Sequence, residues 1–473
     1  MSHTITTVDP AGGEVLAEYP TFDDTRIETA ITAAHAAQAG WAATPLTKRL
    51  ELLRALAETL RAGKHDYAAL MTAEMGKPIG ESLGEVEKSA VTADYYVANA
   101  AAILADEHVA IDGVRAWVGY EPLGVIYAVM PWNFPFWQVM RAAIPTLAAG
   151  NAILLKHSPN VTGSALAIQQ IMERAGFPQG LLTTLIIAEP DVPAVSERII
   201  ADDRVAAVTL TGSNRAGAAV GAAAGRAVKK AVLELGGSDP FIVLDDADLH
   251  AASTAAVKAR FHNTGQSCVC AKRFLVADTV AEEFTRLFVE KTRALVVGDP
   301  TDPATQVGPM ARADLRDQLH TQVQHSIAQG AQLLTGGQPV DGPGTYYQPT
   351  VLAGSGPGIT AFDEETFGPV AAIATAATDA ELAALADASD YGLGLSIWTA
   401  DPDRAVRLAR TITSGAVFVN AVVASDPRLP FGGTKRSGYG RELATAGIRE
   451  FTTIRTYWVT TAADHTQPDT RGE

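Results

Sequence analysis

Cysteine is nearly absent from this chain: 473 residues contain two, Cys268 and Cys270, separated by Val269. A disulfide framework is therefore excluded, and a reducing compartment is the default. Basic residues are in deficit, 37 against 53 acidic, for a net charge of −16. Such a surface repels nucleic-acid phosphates and anionic lipids, so neither nucleic acid nor membrane is expected as a partner. No apolar run approaches the roughly 18 residues of a membrane helix. Met1 to Thr7 also lacks a basic stretch followed by apolar residues, and the expected location is the cytoplasm. The ten histidines have no metal-ligand spacing, HExxH and paired CxxC motifs are missing, and no metal site is expected.

What remains is an ordinary apolar fraction, 47%, in a chain too long for one core. Apolar residues recur at helical spacing in Ile27 to Trp41, Leu46 to Leu60 and Tyr67 to Met75, with an alanine-rich continuation from Val86 to Leu104. Val125 to Val129 then reads as a buried strand. Strand and helix alternate from there: Ala152 to Leu155, Gly163 to Ala175, Val205 to Leu210 and Arg215 to Gly225. Such alternation predicts a doubly wound parallel sheet. After Glu234 a second series follows, with strands at Phe241 to Leu244, Phe274 to Val276, Tyr346 to Val351, Val370 to Ile373, Ser396 to Thr399 and Ala416 to Asn420. It predicts a second α/β domain. Phe451 to Val459 alternates as a strand with no home in either sheet, the mark of one that pairs across an interface.

Two residues suggest covalent chemistry. Cys268 lies among glycine and small polar residues, where nearby donors would draw an exposed loop thiol from about pKa 8.5 toward neutrality. Glu234, 34 positions upstream, is flanked by Gly236 and Gly237 on what reads as a loop able to swing. A nucleophile and a base so paired suit attack on a carbonyl; the competing reading of Cys268 is an inert small hydrophobe. Gly212 stands at a strand-to-helix turn where backbone donors could approach a diphosphate, although such glycines also serve plain turns. Lys156 ends a strand where α/β sheets bind ligands, or else is a solvated surface cation. Asn133, fixed between Pro131 and Pro135, could donate to an oxyanion or cap the next helix. Glu365 reads equally as a surface acid before a turn.

In order along the chain stand MPWNFP, LLKHSPN, TLTGS, LELGGSDP, NTGQSCVC, EETFGPV and PFGGTKRSGYGRE. On these motifs, over nearly its full length, the chain resembles the aldehyde dehydrogenases. The resemblance implies an α/β fold with an atypical Rossmann cofactor domain (1–106 and 122–234), an α/β catalytic domain (235–445), a β-arm for oligomerisation (107–121 with the strand 446–461) and a flexible tail (462–473). A homodimer or homotetramer follows from the arm. The resemblance also makes Cys268 the nucleophile, Asn133 the oxyanion donor and Glu234 the base that hydrolyses a thioester. It places Lys156 at the adenosine ribose, Gly212 and Ser213 at the diphosphate, and Glu365 with Phe367 at the nicotinamide ribose. Trp132, His157, Ser158, Gly217 and Leu235 complete the implied cofactor set. Relatives that prefer NAD often carry a glutamate three positions after this lysine; Pro159 stands there instead, which favours NADP, with NAD as the alternative.

Within the family the likeness is to the succinate-semialdehyde dehydrogenases. It implies a small aldehyde with a far carboxylate, held by Arg141, eight positions beyond Asn133 and so about two helical turns away. Gln138, His262 and Ser425 join it as implied substrate contacts, with His262 where relatives often have a second arginine. Cys270 implies a redox switch through a Cys268–Cys270 disulfide. Glutarate semialdehyde or an amino or betaine aldehyde is the alternative substrate, transfer to coenzyme A the alternative chemistry, and a silent binding protein the alternative class.

Overall fold

The computed structural model describes residues 3–460, so the tail expected at 462–473 lies outside the described residues. Four helices, Asp24–Ala42, Leu46–Ala62, Lys64–Met75 and Ile79–Ile103, form from the periodic segments read above. The last starts well before Val86. Its first three turns carry Glu81, Glu85 and Lys88, a polar stripe that hides the apolar period.

A six-stranded sheet is ordered Gly438–Tyr439, Lys230–Glu234, Val205–Thr211, Val125–Met130, Ala152–His157 and Leu182–Thr184. All pairings are parallel except that of Gly438–Tyr439, which runs antiparallel against Leu233 and Glu234. Two expectations change here. Glu234 is the last residue of a strand, not part of a swinging loop, because three apolar residues, Ala231 to Leu233, suffice to bury a short central strand. The segment around Gly438, expected within the second domain, returns to the edge of the first sheet.

The second sheet has seven strands, ordered Gln332–Thr335, Thr350–Ala353, Val370–Ala376, Ala271–Ala277, Asp239–Val243, Gly394–Trp398 and Ala416–Val419, with only the first antiparallel. Successive side chains point to opposite faces. Phe241 and Phe274 accordingly enter one buried cluster, Ile242 and Leu275 the other. Each such side chain contributes about 1.5–3 kcal/mol by leaving water. The strand expected from Tyr346 begins only at Thr350, since Pro349 has no N–H to give the ladder.

Val114–Pro122 pairs with Glu107–Ile111 on one side and with Thr452–Val459 on the other, so the orphan strand finds its partner within the chain. On the outer strand Ile454 is 70% exposed and Trp458 59%. No helix among the described residues is long and apolar enough to cross a membrane.

Candidate active site

The six-stranded sheet reverses its order between Val125–Met130 and Val205–Thr211. Connections leaving the carboxyl ends of such strands diverge and open a crevice. One becomes the turn Pro131 to Pro135. The other becomes Gly212-Ser213, where Ser213 caps the helix Asn214–Arg226 by accepting from the Ala216 amide at 3.3 Å. Lys156 ends the next strand half-buried, and burial lowers its pKa to about 8 against the pull of Glu189. It is thus not a solvated surface cation.

His157, expected at the cofactor, has a different task. Its Nδ1 accepts from the Ser158 amide at 2.8 Å, so Nε2 carries the proton and donates to the Pro135 carbonyl at 2.9 Å. Both nitrogens are spent on main chain, and burial holds the ring neutral with a pKa of about 4. The ring braces the turn that carries Trp132 and Asn133. Ser158 Oγ donates to Asn160 Oδ1 at 2.7 Å.

Asn133 does not cap the next helix. Glu85 does, accepting from the Phe136 and Trp137 amides at 2.8 and 2.9 Å. The Asn133 side chain instead turns to the cysteine loop, with Nδ2 donating to the Gln266 carbonyl at 3.1 Å. One of its two amide hydrogens stays available.

The loop before Cys268 is strained. Asn263 and Thr264 are left-handed, with φ of 53° and 56°, although neither is glycine. Such backbone costs about 1–3 kcal/mol per residue and persists only where neighbours enforce it. Here they do. Asn263 donates its amide to Glu81 at 2.7 Å and its side chain to the Asn133 carbonyl at 2.8 Å. The Gly308 amide donates to Thr264 Oγ1 at 3.1 Å. Lys272, fully buried, donates to the Ser267 and Cys268 carbonyls at 3.1 and 3.0 Å and pairs with Glu365 at 3.1 Å. Glu365 also accepts from the Gly237 amide at 3.0 Å, which removes its reading as a free surface acid. Phe367 meets Trp132 edge to face at 5.7 Å.

These contacts explain three glycines. A Cβ on Gly217 would strike Leu235, one on Gly236 would strike Glu365, and one on Gly237 would lie 2.6 Å from the Cys268 carbonyl oxygen. Gly237→Ala is therefore expected to displace the thiol. Misplacement by about 1 Å can cost on the order of 100-fold in rate. Steady-state kcat and a melting curve check it: a variant that melts normally with unchanged kcat would contradict the packing argument.

Cys268 is half-buried and opens on a cavity of about 580 Å³ whose wall also holds Gln138, Arg141, His262, Cys270 and Ser425. All implied substrate contacts thus meet in one place. The thiol differs from expectation. Burial pushes its pKa up to about 12 against the pull of Arg141 and Lys272, because the desolvated thiolate loses more than these charges return. Cys270 lies buried behind it, its thiol donating to the His262 carbonyl at 3.6 Å. His262 stacks on Phe134, and burial lowers its pKa to about 4, so it offers no charge.

Arg141 is buried, in ion-pair contact with Glu442 and donating to Thr211 Oγ1 at 3.3 Å. Glu234 is 2% exposed, and among the described residues neither carboxylate oxygen has a hydrogen-bond partner. Burial raises its pKa well above the carboxylate range, Glu442 adds to that, and Arg141 and Arg441 oppose it. Sequence reasoning missed Glu442, Lys272 and the helix face Glu81, Gly84, Glu85 and Lys88. All but Lys272 had a signal: Glu442 closes the last motif quoted above, and the helix residues recur at spacings of three and four.

The aldehyde dehydrogenase family model matches residues 1–457. A succinate semialdehyde dehydrogenase of Escherichia coli K12, named for NAD(P)+, is 50% identical over 458 residues, covering 97% of this chain and 98% of the relative. A probable NADP+ succinate-semialdehyde dehydrogenase of a Synechocystis species is 46% identical over 455 residues, 96% of this chain and 99% of the relative. Among solved structures, succinic semialdehyde dehydrogenase from Streptococcus pyogenes in complex with NADP+ superposes with a TM-score of 0.93 at 36% identity, covering 97% of this chain and all of that one. Motifs, sheet order and similarity over the whole length agree, and the chain belongs to the aldehyde dehydrogenase family.

Proposed function

We propose that this chain oxidises succinate semialdehyde to succinate with NADP+, or less readily NAD+, through a thioester on Cys268. The observation that carries the reading is the cavity of about 580 Å³ at Cys268, whose wall holds the cations Arg141, Lys88 and Lys258 beside two carboxylates, Glu81 and Glu85, that are engaged by the Asn263 amide and by Lys77. A small aldehyde with a far carboxylate fits within it and finds in Lys88 a cation with no ion-pair partner among the described residues, whereas an amino or betaine aldehyde would meet like charge there. The relatives named for succinate semialdehyde support the same choice.

The crevice residues fit a dinucleotide. Gly212 and Ser213 precede a helix N-terminus, where unpaired amides favour a diphosphate. Asn160 Nδ2, beside Ser158, is buried without a partner among the described residues. Glu365, fixed by the Gly237 amide and Lys272, stands ready for ribose hydroxyls. Pro159 leaves no carboxylate to repel a 2′-phosphate, and Lys156 offers a cation, which favours NADP+.

The steps assign to Cys268, Glu234 and Asn133 the roles that the family resemblance implies. Cys268 Sγ bonds to the aldehyde carbon, and its proton passes to Glu234. The oxygen of the resulting thiohemiacetal is held by Asn133 Nδ2 and the Cys268 amide; one such donor is worth about 3 kcal/mol in the transition state. The bound dinucleotide supplies a hydride acceptor. Glu234, having passed the first proton on to solvent, then takes a proton from the water that opens the Cys268 thioester and gives it to the departing sulfur, releasing succinate and restoring the thiol. Since Glu234 deacylates through water, transfer to coenzyme A is disfavoured. The exposed Ile454 and Trp458 on the outer arm strand support association with further copies of the chain, and two free thiols suit the cytoplasm.

A kinetic matrix tests the reading, with succinic semialdehyde and butyraldehyde each assayed with NADP+ and NAD+. The expected result is a kcat/KM at least about 100-fold higher for the carboxylated aldehyde, since a site built for a charge rejects a substrate lacking it. Comparable values would remove the proposed substrate.

A further inference from the structure

Residues 81, 84, 85 and 88 form one face of the helix Ile79–Ile103, and that face lines the cavity at Cys268. Lys88 is the cation this face presents. Its Nζ donates to Ser425 Oγ at 2.7 Å and lies over the Trp137 ring at 4.3 Å, so its head is fixed at the cavity wall. Its acidic neighbours are engaged elsewhere. Glu85 pairs with Lys77 and caps the helix that starts at Trp137, and Asp426 pairs with Arg428 at 2.6 Å. No carboxylate among the described residues lies within ion-pair distance of Lys88. Burial lowers its pKa to about 8, the charge of Arg141 adds to that, and Glu85, Asp426 and Cys268 oppose it.

Arg141 is placed differently. It is almost fully buried, is held in ion-pair contact by Glu442, and stacks over Phe431 at 4.6 Å. A paired cation attracts a second carboxylate weakly, because the first already fills its field. An unpaired, partly desolvated ammonium attracts one strongly.

We propose that Lys88, with the Ser425 hydroxyl beside it, receives the far carboxylate of the aldehyde, and that Arg141 is a positioning residue acting through Glu442 beside Glu234. The assignment rests on the substrate class proposed above. Lys88 sets specificity at the end of the substrate remote from the reacting carbon, and Ser425, now its partner, would turn its hydroxyl to the same carboxylate.

The test reads the ratio of kcat/KM for succinic semialdehyde to that for butyraldehyde in the wild type, Lys88→Met, Lys88→Arg and Arg141→Met. Lys88→Met keeps most of the stem that packs on Trp137 and deletes the charge. The ratio should fall by about 100-fold, chiefly through KM for the carboxylated aldehyde, as expected when one side of a desolvated charge pair is removed. Lys88→Arg should retain much of the ratio. Arg141→Met should lower kcat for both aldehydes and leave their ratio within about threefold of the wild type, the mark of a residue that acts on the chemistry. If the wild type prefers the carboxylated aldehyde and Lys88→Met keeps that preference, Lys88 is not the receptor. A wild type with no preference removes the substrate class, and this assignment falls with it. Should Lys88→Met fail to fold, Ser425→Ala and Lys88→Gln carry the test with succinate as competitive inhibitor: weaker inhibition in both supports the site, unchanged inhibition overturns it.

Discussion

Glu234→Gln is expected to release a burst of reduced dinucleotide equal to the number of active sites and then nearly stop, with steady-state kcat lower by about 100-fold to 10,000-fold. Glutamine keeps the volume of the buried side chain and removes the capacity to take a proton. The wild-type carboxylate has no hydrogen-bond partner among the described residues, so the substitution breaks no bond that holds the strand end. The strand itself is secured through its backbone, the Gly212 amide donating to the Glu234 carbonyl at 2.9 Å. A fall in rate would therefore report lost chemistry. The burst survives because it needs only the first acylation, for which another base, including solvent hydroxide, can ionise the thiol, whereas further turnover needs an activated water to open the thioester. Rapid-quench trapping and intact-protein mass would find succinyl attached to Cys268. Normal steady-state turnover would remove Glu234 from its role, and absence of both burst and adduct would show that no other base replaces it at acylation.

The burial that defines this carboxylate also explains what could and could not be seen in the sequence. Strands and helices with a clean apolar period, such as Val125 to Val129 or Ile27 to Trp41, were legible because burial on one or two faces is written in residue spacing. The seven ordered motifs made the family legible, and with it the meeting of Cys268, Asn133 and Glu234. Electrostatics was not legible. The Cys268 loop reads as exposed and polar, yet Asn263 and Gln266 turn inward and bond each other, Thr264 pairs with Gly308, and all three are shielded from solvent. His157 looked like a ligand to an incoming cofactor because its neighbours Lys156 and Ser158 do; only the fold brings the Pro135 carbonyl to its Nε2. Lys88 and Glu442 are 53 and 301 positions from Arg141, beyond any local pattern, and they decide which cation is free.

Replacing Cys268 by alanine is expected to abolish oxidation, with no burst and no acyl adduct, while dinucleotide binding measured by fluorescence stays intact. The sharper expectation concerns the pH dependence of the unmodified thiol. With its pKa raised to about 12, Cys268 is protonated at neutral pH, and its thiolate fraction grows tenfold for each pH unit below that value. Glu234, also raised, gains its basic form in the same direction. Both effects carry one sign: kcat/KM should climb from pH 6 to pH 8 without a plateau near 7, before Lys88, whose pKa is about 8, loses the charge that receives the substrate carboxylate. Alkylation by iodoacetamide isolates the thiol from the rest of the cycle. Its rate at Cys268, followed by peptide mass so that buried Cys270 is counted separately, should rise about tenfold per unit over this range. A rate that levels off near neutrality would mean a thiolate already formed in the resting enzyme, stabilised by Arg141 and Lys272 beyond what its burial removes. Activation would then belong to these cations, and the need for Glu234 in the first step would disappear.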